Sequence, residues 1–156
     1  MLKPLCLTLA PLFGAGLLAN GLFMLAMPEP WYYSIPGVTM TGPFNQHFIR
    51  DIGLIYLFAG IALVAGTLRP GSRVLLWAVP TTWLAGHALF HFWEVAVGIC
   101  SPSAIPRDFP GVTLPAIIGA ALTTWALWDV SSSAGKLSSG YVRHSAAVPL
   151  PPAPPQ

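Results

Sequence analysis

Apolar residues fall in four long runs, 5–27, 44–68, 74–98 and 112–130, separated by short polar breaks rich in proline and glycine. Each run has the roughly 20 residues that an α-helix needs to cross a bilayer. In lipid, backbone groups must be satisfied within their own segment, so such runs cross as helices. Four runs with short connections predict an all-α fold, an antiparallel four-helix transmembrane bundle over residues 1–130. The first run is longer than the apolar stretch of about 7–15 residues in a secretory leader, and no small-residue cleavage site follows it. It reads as a retained span. From Ser131 the chain becomes rich in Ser and Gly and then in Pro, so 131–156 reads as a disordered or polyproline tail. Gly14, Gly16 and Gly21 in the first run, and Ala62 and Gly66 in the second, suit close helix packing.

Composition fixes the class. The chain is 54% hydrophobic and 8% charged, whereas soluble domains carry about 25% charge. It is expected in the lipid bilayer. The formal net charge of +2 is small and scattered, which excludes a nucleic-acid partner. Lys3, Arg69, Arg73, Lys136 and Arg143 fall on one side of the predicted spans. The positive-inside rule then puts both termini in the cytoplasm of an inner (plasma) membrane, with 28–43 and 99–111 as outer loops. Trp31, Tyr32, Tyr33 and Trp93 form an outer aromatic belt in this topology, and Trp77, Trp125 and Trp128 an inner one. Cys6 and Cys100 lie at opposite faces, about 30 Å apart, too far for a disulfide.

The third run contains ionisable side chains. Gly-His-Ala-Leu-Phe-His-Phe-Trp-Glu over 86–94 places His87, His91 and Glu94 at i, i+4 and i+7. All three fall within roughly 60° of arc at 3.6 residues per turn. Such groups cost about 2.5–3.5 kcal/mol each near the centre of a spanning helix, so they must face a partner, a cavity or a metal. The second run opens with His47, Arg50 and Asp51. Matching the outer ends of these runs sets His47 near Glu94 in depth, Asp51 near His91, and Asn20 of the first run near Asp51. Trp83, one turn from His87, floors the expected pocket. The predicted metal ligands are His47, Asp51, His87, His91 and Glu94, with Asn20, Trp83 and Arg50 as cofactor-side contacts. Imidazoles with a carboxylate suit a transition metal, and His47 facing His87 or His91 would suit a haem. Arg50 neutralises only one acid, so the excess favours a pocket over a simple interhelix lock. No phosphate loop, nucleophile elbow, HExxH or CxxCH pattern occurs.

The short Pro-rich aromatic loop after the first span and Arg50-Asp51-Ile52-Gly53 at the outer start of the second recur in a known group. Over 5–130 the chain resembles the DoxX-like small bacterial membrane proteins. The resemblance implies a four-helix fold. It also implies a redox connection, because some relatives are subunits of quinone-linked oxidoreductases. It transfers no catalytic residue. The functional expectation is a metal- or haem-binding pocket in the outer half of the bundle, possessing a redox role if the resemblance holds. Two alternatives stay open: a non-catalytic subunit of a larger membrane complex or homo-oligomer, and a binder of protons or a small solute.

Overall fold

The computed structural model describes residues 2–146, with side chains described to Ser133. Its helices are α1 (Leu2–Ala26), α2 (Pro28–Ser34), α3 (Gln46–Leu68), α4 (Arg73–Ala96), α5 (Ala104–Asp108) and α6 (Leu114–Ala146). A π-helical turn, Phe109–Thr113, joins α5 to α6. Among the described residues there is no strand. Three helices are long and apolar enough to cross a membrane: Leu2–Ala26, Gln46–Leu68 and Ala104–Ser133. α4 has the length, but Thr81, Thr82, His87, His91 and Glu94 interrupt its apolar character. The predicted boundary at 130 falls inside α6, which continues to Ala146. The Pro-rich end, 147–156, lies outside the described residues.

α1 and α3 pack most closely. Gly14 lies against Gly60, and Gly21 against Gly53, so the pairing runs antiparallel with glycine meeting glycine at both levels. Without side chains at these positions the two backbones approach closely, which is how helices gain dispersion contacts in a lipid-like surrounding. α3 meets α4 through Tyr56 with Trp83 and Leu63 with Trp77. α4 meets α6 through a Thr81–Thr123 hydroxyl hydrogen bond of 3.0 Å. The two α3–α4 contacts also run in opposite directions along their helices. The core is a line of large side chains, among them Met24, Leu63, Trp77, Leu84 and Leu122.

The helix ends follow local chemistry. Asn45 caps α3, its side-chain oxygen accepting from the backbone N–H groups of His47 at 3.1 Å and Phe48 at 3.2 Å. α4 stops at Ala96, and Gly98 just beyond it has a φ of 79°, the left-handed turn that glycine adopts without strain. Segment 28–43, expected as an outer loop, folds into α2 and a single 3-10 turn, Val38–Met40. The Tyr32 hydroxyl donates to the Gly42 carbonyl, closing this segment on itself. Cys6 and Cys100 are free thiols.

One buried cation ties the opposite end together. Arg73 is 6% exposed. Its Nε donates to the Gly66 carbonyl at 3.1 Å and Nη2 to the Thr67 carbonyl at 3.3 Å, covering the C-terminal end of α3. The guanidinium lies 5.6 Å from the Trp77 ring centre and 5.8 Å from that of Trp125. Asp129 Oδ2 is 3.8 Å from Arg73 Nη1 and 3.6 Å from Lys3 Nζ. Trp77 and Trp125 are therefore core residues around a cation, which corrects their expected place in a lipid-facing belt. Trp128 is exposed.

Candidate functional site

α4 presents Trp83, His87 and His91 on successive turns, as the spacing predicts. The Trp83 and His87 rings stack, with centroids 5.2 Å apart and planes within 8°. His87 meets His91 edge to face at 4.7 Å. On the other side of Trp83, Tyr56 of α3 packs edge-on at 5.2 Å. Leu84 and Ala88 are buried on the neighbouring stripe. The imidazoles consequently sit half-buried at the border of the core.

The partner of His91 comes from the segment expected to be an outer loop. Asp108 closes α5, and its Oδ2 lies 3.3 Å from His91 Nδ1. Arg107 holds the same carboxylate with two donors, Nε to Oδ1 at 2.7 Å and Nη2 to Oδ2 at 3.1 Å. Two-pronged contacts of this kind fix orientation as well as charge. Asp108 is only 14% exposed, so its negative charge depends on these partners. Arg107 Nη1 also reaches Met40 Sδ at 3.3 Å. The guanidinium lies over Gly37, whose φ is 87° and where an added Cβ would come 2.5 Å from it. Both connections at this end of the protein thus converge on one carboxylate.

Gly37→Ala is expected to cost roughly 1–2 kcal/mol for the left-handed backbone alone. It should also push Arg107 off Asp108. Thermal unfolding in detergent checks the first effect, and loss of any further penalty in an Arg107→Ala background checks the second.

The five predicted metal ligands do not come together. His47 and Asp51 pair with each other at 3.2 Å, but their side chains are 87% and 57% exposed on the outer face of α3. The buried stripe of α3 is Ile49, Gly53, Tyr56, Gly60 and Leu63. His47 and Asp51 lie across the helix from it. Glu94 is half-buried, and among the described residues its carboxylate has no hydrogen-bond or ion-pair partner. No group of three or more His, Cys, Asp or Glu side chains among the described residues is arranged to hold a metal ion. A haem held between His47 and either α4 histidine does not fit, because His47 faces away from α4. The three cofactor-side residues also divide. Only Trp83 joins the histidines. Arg50 Nε donates to the Leu25 carbonyl at 3.1 Å and Nη1 to Gln46 Oε1 at 2.8 Å, at the end of α1. Asn20 Oδ1 accepts from Trp31 Nε1 at 3.0 Å, anchoring α2.

Asp108 and Arg107 are the site residues that sequence reasoning missed. The signal available was their adjacency at the end of the connection that follows the His-bearing helix. The assembled group is Trp83, His87, His91, Asp108 and Arg107, with Tyr56 behind it. It offers two imidazoles, one clamped carboxylate and no open coordination sphere. Chemically it can hold and pass a proton. No family model, curated protein or solved structure matches this chain.

Proposed function

We propose that this chain is a small four-span membrane protein whose His87–His91–Asp108 relay carries protons at one end of an antiparallel bundle. The contact of His91 Nδ1 with Asp108 Oδ2 at 3.3 Å carries the reading. A carboxylate at that nitrogen favours the tautomer with hydrogen on Nδ1 and leaves Nε2 as the proton acceptor. On protonation, Asp108 balances the imidazolium. Two neighbouring imidazoles disfavour a double positive charge, so a proton on one is pressed toward the other. The stacked Trp83 keeps the His87 ring in place. Arg107 keeps Asp108 ionised and oriented.

Four spans fit the sequence pattern, the length of α4 and the architecture implied by the DoxX-like resemblance. Lys3, Arg73 and Asp129 at one end, with Arg69 in the adjoining turn, support that end as the cytoplasmic one. The relay lies at the other end, toward the outside.

The test is proton flux into proteoliposomes containing a trapped pH dye. Wild-type protein is expected to conduct under an imposed potential, and Asp108→Asn to lower the rate by about 100-fold, the lower end of what a positioned proton-transfer group contributes. Equal flux for wild type, Asp108→Asn and His91→Phe would overturn the relay.

A second reading rests on the exposed His47–Asp51 pair. It shares the outer face of α3 with exposed Phe48, Leu54, Phe58 and Ile61. A polar pair on an otherwise lipid-like face suits contact with a second copy of the chain or another membrane subunit. Phe58→Cys, in a background lacking Cys6 and Cys100, should form disulfide-linked dimers in membranes if the occupant is a second copy.

A further inference from the structure

A cavity of about 500 Å³ opens where α1 turns into α2 and faces the start of α3. Its apolar walls include Met27, Pro28 and Phe44, and its polar groups are Glu29, Gln46 and Arg50. The volume falls within the range of about 300–1,000 Å³ usual for small-molecule sites. None of these residues belongs to the histidine relay.

The two charges in this cavity do not satisfy one another. Arg50 is held by two hydrogen bonds, to the Leu25 carbonyl and to Gln46 Oε1. These use Nε and Nη1 and leave Nη2 available. Glu29 stands in the first turn of α2, next to buried Pro28. Among the described residues neither Arg50 nor Glu29 forms an ion pair, with each other or with any other group. A guanidinium with a free edge suits a phosphate oxygen. A carboxylate suits a primary ammonium, which offers three N–H donors. The only aromatic ring in the wall is Phe44, so the cage of several rings that quaternary ammonium groups favour is lacking.

We propose that this cavity binds a zwitterionic headgroup of the phosphoethanolamine class, with its phosphate on Arg50 and its primary amine on Glu29. The placement agrees with such a ligand. The cavity lies at the ends of α1 and α3, two helices long and apolar enough to span. Headgroups sit at that level. Met27, Pro28 and Phe44 would cover the glycerol and upper acyl carbons. The inference rests on reading α1 and α3 as spans and is independent of the proton relay.

Protein equilibrated with equimolar phosphatidylethanolamine, phosphatidylglycerol and phosphatidylcholine vesicles, then released for native mass spectrometry, tests it. Wild-type protein should retain the ethanolamine lipid about tenfold over the choline lipid, a difference of about 1.4 kcal/mol. Glu29→Gln should abolish the preference over phosphatidylglycerol while leaving phospholipid bound. Arg50→Ala should lose all three lipids. Water-soluble glycerophosphoethanolamine separates the two sources of the headgroup. Competition shows that the headgroup alone suffices, and retention of lipid against it shows that the acyl-bearing form is the ligand. Equal retention of the three lipids by wild type overturns the proposal, as does an unchanged preference in Glu29→Gln, an exposed position whose substitution leaves the core intact.

Discussion

Gly60→Ala is expected to loosen the pairing of α1 with α3 and to destabilise the protein by about 2–3 kcal/mol, the upper part of the range for overpacking. A Cβ at Gly60 would meet the Gly14 carbonyl oxygen at 2.5 Å, Leu18 Cγ at 2.6 Å and the Leu18 amide nitrogen at 2.8 Å. Two of these three atoms are backbone. A side chain can rotate away, but backbone can yield only if the whole helix moves. Gly21 is in the same position, with the Gly53 carbonyl oxygen and the Leu57 amide each 2.7 Å from its built Cβ. The control lies in the same helix as Gly14 and Gly21. Around Gly16 nothing lies within 4 Å of a built Cβ, so Gly16→Ala should be neutral, or stabilising by up to about 1 kcal/mol from helix propensity. Unfolding in mixed micelles with increasing anionic detergent measures both variants. Similar midpoints for Gly60→Ala and Gly16→Ala would show that the seam is not closely packed.

The second large effect is expected at Arg73. Arg73→Ala should cost about 3–5 kcal/mol, the usual result of breaking a buried charged network from one side. The substitution exposes no charge to water and instead strands several groups. The Gly66 and Thr67 carbonyls lose their donor, and Asp129 keeps only Lys3. Trp77 and Trp125 lose the cation that lies beside both rings. Arg73→Lys should rescue only part of this loss. One ammonium cannot match the planar fork that serves two carbonyls and two rings at once. Asp129→Asn should cost less than Arg73→Ala, because the two carbonyls remain bound. Unfolding midpoints give the order of the three variants. A shift in tryptophan emission in Arg73→Ala alone would locate the change at the rings.

Level along the helix axes was readable from sequence, but the facing of each side chain was not. Matching helix ends put Asp51 near the level of His91, and the observed Tyr56–Trp83 and Leu63–Trp77 contacts place Asp51 within about a turn of that level. Run lengths and turn positions suffice for this. Rotation of α3 is set by other residues. Gly53 and Gly60 dock on α1, and Tyr56 and Leu63 on α4, which leaves His47 and Asp51 on the remaining face. Polar residues drew attention as a site, although the small residues decided the orientation. The His87–His91 spacing was legible because a single helix fixes it. Asp108 was not, because its position depends on how α5 folds back against α4.

The wide turn at Phe109–Thr113 has its own consequence for that carboxylate. A π-turn holds one residue more than an α-turn, and each residue rotates a helix by about 100°. Asp108 sits immediately before it, so the extra residue sets the angular phase between α5 and α6. Removing a single residue from this stretch would let the helix wind regularly and swing Asp108 about a quarter turn around the axis. The chain would keep its composition and its apolar length almost unchanged. The acid would then point away from His91, so chain length at this one turn governs the site as strictly as residue identity does.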